Sequence, residues 1–518
     1  MRGGFRLIIA YFMVVVGLFG VGGTSEMGPT SLDALLRCFR DVVPSLRWDN
    51  DARTWADRAG SMTNPLVVVY PSDGAEVGGV LTCADAVNTT YRAVSGRHFY
   101  QPIDDAMVVI DVQGLCKDDA IVVDLEQGVM TVPSGCPNGR VLGALPDGFL
   151  FPMGNCPTVG LGGYMLGGGM SDVSRYTGMG CDTVQSLTRV TVDPDTGVGV
   201  EKTTSDAEVL YRACGGGAGP ESRMDGVVTA FTVKLVPTPT DIYSRITVLA
   251  SKEKTPDALV ALQEMLQGDD ARYFKFGGGG VIGVLWEYDI GLVLNLLYLG
   301  PGSRGVELLR EAGIVNDTWS STMVDEYGSF RDAMSVSMVQ EGIGTDMEVA
   351  CELFACDQFT GLVMPEAASA IAEMLQDLES PLLNKESDLW QTRQFAYPVP
   401  GFMLRTLGRD TWERVTEVAT TPLVGPDGTP LCSRHYALLA HFTGGQVAAR
   451  DASASAYPWR EDTVLLTWLN GMDPAEAAAC DVEAARYDAA LAPASLNRAY
   501  ANYRGSGAYN VTYVGSLR

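Results

Sequence analysis

The chain has 518 residues, 46% of them hydrophobic and 19% charged, a composition that fits a multi-domain globular protein and excludes a disordered one. Its formal net charge is −26 and no basic run occurs, which disfavours nucleic acid and anionic membranes as partners and anionic molecules as substrates. The 59 glycines fall in short clusters without a period, which excludes collagen-like and solenoid architectures.

Taken in chain order, residues 1–24 carry a basic start, MRGGFR, and then an apolar run, LIIAYFMVVVGLFGVGG. This is the pattern of a secretory signal peptide, and the run falls short of the roughly 20 residues that a membrane-spanning helix needs. SLDALLRCFRDVV from Ser31 has apolar residues at helical spacing behind a serine cap. PLVVVYPSD from Pro65 reads as a strand and turn, VGGVLTCADAVNTTY from Val77 as a helix, and RAVSG from Arg92 as a strand ending in a glycine bend. AMVVIDV from Ala106, IVVDLEQGVMTVPSG from Ile121 and LTRVTVD from Leu187 are expected strands. Two dense glycine segments follow, at 154–180 and 213–237, and VPTPTD then reads as a linker. Beyond Asp241 the pattern changes to helices such as TPDALVALQEMLQG and SRGVELLREAG, interleaved with strands such as GLVLNLLYLG and YALLAHFTGG. That alternation predicts a second α+β unit.

Secretion permits disulfides, and eleven cysteines are an odd number. Ten could form five bridges, including a local Cys351–Cys356 pair, with one cysteine kept for another use. The sequons at Asn88, Asn316 and Asn510 suit glycosylation on the same route. The glycine segments match neither the dinucleotide fingerprint, since Gly160 and Gly162 lack the third glycine in place, nor the P-loop.

Four motifs occur in one order: SGRH at Ser95–His98, GNCPTVGLGGYMLGGG at Gly154–Gly169, SRYTGMGCDTV at Ser174–Val184, and GGG…DGVVTAFTVKLVP ending at Pro237. In that order they resemble the berberine-bridge-enzyme-like family of FAD-linked oxidoreductases, within the vanillyl-alcohol-oxidase group with PCMH-type FAD-binding domains. The resemblance covers most of the mature chain. It implies an α+β fold with a two-part PCMH-type FAD-binding domain at 31–238. A substrate domain with an antiparallel sheet and helices is implied at 239–480, and a C-terminal segment at 481–518 returning to the FAD domain.

The resemblance also implies FAD as cofactor, attached twice, with His98 bonded to the 8α-methyl and Cys156 to C6 of the flavin ring. An imidazole nitrogen and a thiolate are both nucleophiles able to add to an electron-poor ring. The implied cofactor-binding set is completed by Ser95, Gly96, Gly154, Pro157, Thr158, Val159, Gly160, Gly162, Gly163, Gly167, Gly168, Gly226 and Val228. One departure stands out: Arg97 occupies a position where the family usually has glycine, so its side chain must point away from the flavin. Cys181 stands where the family often has a small residue and reads as a buried thiol. A valine such as Val159 keeps a path for dioxygen in that family.

HFTGGQVAARDASASAYPWREDTVLLTW resembles the family strand that runs over the flavin, with Trp459 where histidine is common and Arg460 matching the arginine. His441 is a candidate base or orienting group there. AYANYRGSG resembles the family motif whose second tyrosine deprotonates the substrate, which makes Tyr503 the candidate base. The family normally continues past this motif with a further helix, whereas this chain stops at Arg518. The expectation is a secreted FAD-dependent oxidase of a neutral hydroxyl-bearing small molecule, a carbohydrate or alcohol, with dioxygen as second substrate and no metal. Nucleic acid and stable membrane association are not expected. A dehydrogenase using another acceptor and a flavin-binding protein without catalysis are the alternatives.

Overall fold

A computed structural model describes residues 29–49, 65–98, 107–215, 225–285, 290–343, 376, 395–396, 402–432, 436–471, 477–492, 498–499 and 512–513. The expected signal segment, Cys351, Cys356, Tyr503 and the Asn510 sequon lie outside the described residues.

The first unit begins with helix α1 (Pro29–Val42), whose Leu35 and Phe39 are fully buried. Strand β1 (Arg47–Asp49) is an antiparallel edge on β2 (Val67–Tyr70), whose Val67–Val69 are buried. Helix α2 (Gly74–Ala86) starts on Asp73, whose carboxylate accepts from the Glu76 N–H. It ends earlier than its apolar pattern suggests, because the chain turns at the exposed Asn88 (φ 51°) into β3 (Tyr91–Val94). Strand β4 (Val108–Asp111) lies between β2 and β3 and runs parallel to both. The apolar run Val108–Ile110 of this central strand suits burial on both faces.

Residues 121–135 form two strands where one was expected. β5 (Val122–Asp124) and β6 (Val129–Pro133) pair around a turn in which Gly128 takes φ +65°. Only glycine adopts that conformation at no steric cost. Helices α3 (Asn138–Ala144) and α4 (Leu161–Leu166) follow, then β7 (Val184–Val192), β8 (Gly199–Thr204), α5 (Ala207–Ala213) and β9 (Val227–Lys234). The second sheet has the antiparallel order β5–β6–β9–β7–β8. Val132, Phe151, Leu161 and Phe231 form its core, and Tyr243, Leu297 and Phe330 from later in the chain join the same cluster.

The rest of the chain supplies β10 (Tyr243–Ser251), α6 (Thr255–Gln267), β11 (Phe276–Leu285), β12 (Ile290–Leu299), α7 (Gly302–Glu311), β13 (Ser320–Tyr327) and α8 (Phe330–Ile343). After them come β14 (Phe402–Leu404), α9 (Arg409–Thr420), β15 (Tyr436–Phe442), β16 (Val464–Gly471) and α10 (Ala477–Leu491). Their strands make a long antiparallel sheet in the order β13–β10–β12–β11–β15–β16–β14. Leu294, Leu296, Leu439 and Leu466 of that sheet pack with Leu262, Val415 and Tyr487 of α6, α9 and α10. The fold is therefore α+β, as the resemblance implied.

Among the described residues four disulfides close, Cys38–Cys83, Cys116–Cys136, Cys181–Cys214 and Cys432–Cys480. Cys181 is a correction: it is bridged, not a thiol, because the turn at Gly180–Thr183 meets the end of α5 with the two Cα atoms 5.0 Å apart. Cys156 lies outside these four bridges. Among the described residues no helix is long and apolar enough to cross a membrane. Asn88 and Asn316 are both exposed.

Candidate active site

The turn at Ser95–His98 and the loop at Gly154–Gly160 meet backbone to backbone. A Cβ on Gly96 would lie 2.2 Å from the Gly160 nitrogen and 2.7 Å from the Thr158 carbonyl oxygen. A Cβ on Gly160 would lie 1.9 Å from the Ser95 hydroxyl. Both positions need glycine for that approach. Gly96→Ala is accordingly expected to cost about 1–3 kcal/mol, as overpacking against rigid backbone does, and a melting temperature equal to wild type would contradict it.

Hydrogen bonds hold the two loops in place. Ser95 Oγ donates to the Ser134 carbonyl at 2.8 Å, and Ser134 Oγ donates to the Val228 carbonyl of β9 at 2.7 Å. The Asn138 N–H donates to Val159 O and the Gly139 N–H to Pro157 O, so the start of α3 fixes the second loop. The Gly162 N–H donates to Ser134 O at the start of α4. Gly167 caps that helix, and Gly168 packs against Met179 and Tyr457. Gly226 enters β9 beside the Val190 carbonyl, away from the contact between the two loops.

His98 and Cys156, which lie 58 positions apart, share one neighbour. His98 Nε2 is 2.9 Å from Thr158 Oγ1, and Cys156 Sγ is 3.6 Å from the same oxygen. Thr158 is buried, whereas His98, Cys156, Val159 and Gly163 keep solvent exposure. A Cβ on Gly163 would meet nothing within 4 Å. Beneath the loop the Asn138 amide is fully buried, with neither its oxygen nor its nitrogen hydrogen bonded, and it lies against Gly154. An imidazole, a thiol, an open glycine face and an unsatisfied amide together suit a polar, planar, electrophilic cofactor such as FAD.

Arg97, which precedes His98, adopts φ 57°. A residue with a Cβ pays roughly 1–2 kcal/mol there. Its side chain turns to the end of β4, where Nε and Nη2 each come within 2.7 Å of Asp111 Oδ2. Burial opposes the charge, but the adjoining Asp111 carboxylate outweighs it and holds the guanidinium pKa above its ordinary value.

A second cluster sits behind the Cys156 loop, and His441 is the one member that the sequence singled out. Asp172 is buried and accepts from Asn155 Nδ2 at 2.9 Å, from Arg245 Nη1 of β10 at 2.9 Å and from Ser337 Oγ of α8 at 3.4 Å. His441 Nδ1 faces it at 3.8 Å, longer than a hydrogen bond. A register shift in β15 between Leu439 and His441 accompanies that placement. Burial alone would raise the Asp172 pKa. His441, Arg245 and Asn155 outweigh it and hold the carboxyl well below the usual carboxylate range.

Arg175 is fully buried and donates to the carbonyls of Leu266, Thr443 and Tyr273, which ties the glycine segment to the third sheet. Burial pushes its pKa down to about 10, so it stays charged at neutral pH. Arg460, matched by sequence to a strand facing substrate, is instead buried in a two-pronged pair with Asp182 at 2.7 and 2.8 Å. Trp459 is buried beside Met170, Met179 and Leu465.

The model of the FAD binding domain family matches residues 65–196, a span that includes His98 and Cys156. Berberine bridge enzyme-like C-1 of Nicotiana tabacum is 26% identical over 278 residues, which are 49% of this chain and 47% of that protein. The chain thus spans about half the length of the relative it matches. The wild-type BBE-like 1 structure of Physcomitrella patens superposes with a TM-score of 0.67 at 16% identity, covering 93% of both chains. The structure of a chitooligosaccharide oxidase superposes with a TM-score of 0.67 at 15% identity, covering 94% of both chains. The chain thus carries an FAD binding domain, and it resembles berberine bridge enzyme-like FAD-linked oxidoreductases in part of its sequence and in its fold.

Proposed function

We propose that the protein is a secreted FAD-dependent oxidase of a neutral hydroxyl-bearing small molecule, a carbohydrate or an alcohol, with FAD held covalently by His98 and Cys156. The observation that carries this reading is the approach of His98 Nε2 and Cys156 Sγ to one buried hydroxyl, that of Thr158. Two nucleophiles fixed in one cradle suit a cofactor gripped at two points. The net charge of −26 favours an uncharged substrate, and the printed name of a structural neighbour, a chitooligosaccharide oxidase, agrees with a carbohydrate.

FAD bound in the cradle would supply the two-electron acceptor, with dioxygen as its oxidant. The backbone of Ser95, Gly96 and Gly160 shapes the cradle, and Val159 is partly exposed beside it. Tyr503 is the proposed base for the substrate hydroxyl. His441 is its proposed helper, and a charge gained by its ring would be balanced by Asp172, whose own charge Arg245 already shares. The four disulfides and the apolar leader support export.

The test is to mix the purified protein with a panel of sugars and alcohols, first without air and then with it. A member of the panel is expected to bleach the flavin band anaerobically and to yield one hydrogen peroxide per turnover in air. Bleaching without peroxide would identify a dehydrogenase. No bleaching by any member, in a protein that carries flavin, would overturn catalysis on hydroxyl substrates.

A further inference from the structure

The residue before His98 is in the left-handed region, carries a long charged side chain, and directs its guanidinium to Asp111 at the end of β4. Asp111 ends β4 and is itself held. Its Oδ1 accepts from the Gln113 N–H at 3.0 Å, while Oδ2 takes both Arg97 nitrogens. The Gln113 side chain reaches back to the Ser95 carbonyl, two residues before Arg97. Arg97 Nη2 also lies 3.4 Å from Tyr70 Oη on β2, and Tyr70 donates to Asp49 on β1 at 2.8 Å. The turn is thus gripped on both sides of Gly96 by the first sheet. Side-chain exposure in the pair is only 12% for Arg97 and 4% for Asp111.

We propose that Arg97 and Asp111 are a positioning pair. The ion pair holds the 95–98 turn in a left-handed conformation that glycine would take unaided, and so presents the His98 imidazole beside Thr158 for linkage to flavin. This rests on the flavin linkage proposed above. The pair faces the first sheet and acts through His98. Three consequences separate it from a merely structural ion pair. Arg97→Ala loses the partner and keeps the unfavourable φ. Asp111→Asn leaves the guanidinium buried without its carboxylate. Arg97→Gly loses the same partner but removes the conformational cost, so glycine restores what alanine takes away.

The experiment compares these three variants, each also carrying Cys156→Ala so that only the histidyl bond can form. Two quantities are read: hydrogen exchange of peptides covering 91–98, and the fraction of flavin that stays with acid-precipitated protein. Arg97→Ala and Asp111→Asn are expected to exchange about tenfold faster than the parent in that segment and to lose most of the acid-stable flavin. Arg97→Gly is expected to stay within about twofold of the parent in both. Far-ultraviolet dichroism and a melting curve identify a variant that has failed to fold, and the Arg97→Gly comparison then still decides. Equal behaviour of Arg97→Ala and Arg97→Gly, whether both intact or both impaired, would overturn the proposal. Absence of acid-stable flavin from the Cys156→Ala parent would overturn the histidyl linkage itself, and the exchange rates alone would then show whether the pair holds the turn.

Discussion

Replacing Asp172 by leucine is expected to destabilise the protein by about 3–5 kcal/mol, because it strips a buried guanidinium of its carboxylate. Arg245 is nearly buried, and its Nη1 makes the 2.9 Å contact with Asp172 while its Nη2 has no hydrogen-bond partner. The same substitution removes the acceptor for Asn155, the residue next to Cys156, and for Ser337 of α8. Denaturant midpoints would measure the loss, and a change below about 1 kcal/mol would show that the cluster is not coupled to folding. Asp172→Asn keeps the shape and part of the hydrogen bonding, so it should fall between the two. The pH dependence has a definite sign. A carboxyl held low in the folded state contributes its full stability above the unfolded value near 3.9 and loses it as the pH falls toward the lower folded value. The advantage of wild type over Asp172→Asn should therefore be constant from pH 5 to 7. Below pH 4 it should shrink by about 1.4 kcal/mol per pH unit. An advantage that grows on acidification would contradict the assignment.

The second large effect concerns attachment of the cofactor. Cys156→Ala and His98→Ala are each expected to keep flavin in the acid pellet through the remaining bond, whereas the double variant releases all of it. The reason is geometric. Both atoms are anchored to the same Thr158 hydroxyl, and that residue is itself buried, so removing one anchor leaves the other in place. The singly linked forms should also differ in visible spectrum, since a thioether and an imidazole attach at different ring positions with different electron donation. Flavin retained by the double variant would show that a third residue makes a bond. Release by either single variant would show that the two anchors do not act independently.

Much of this site was legible in the sequence because its residues come in short runs with fixed order: Ser95–His98, then Gly154–Gly163. Turn glycines and their neighbours carry local meaning, and a cradle made of two turns survives as two motifs. Apart from His441, the Asp172 cluster left no such trace. Its members come from a loop, β10, α8 and β15, separated by 73, 165 and more positions, and an aspartate in a glycine-rich segment reads as a turn residue. The Cys181–Cys214 bridge was missed for the same reason, since its 33-residue separation has no local signature and the resemblance pointed to a small residue there. Arg460 matched a motif, yet its charge is spent on Asp182. Motif position placed that side chain in the fold without fixing which partner it would take. The hairpin at 121–135 was read as one strand because both of its strands are rich in valine, and Gly128 is the turn residue with positive φ between them. Arg97 is the reverse case. Sequence flagged it as an intruder at a glycine position, and the ion pair with Asp111 accounts for how it is accommodated.

The central claim is that this chain binds FAD covalently through His98 and Cys156. The most direct measurement is the visible spectrum of the purified protein before and after acid precipitation. The expected result is a yellow protein whose flavin absorbance stays with the denatured pellet, and release of all flavin into the supernatant would contradict it.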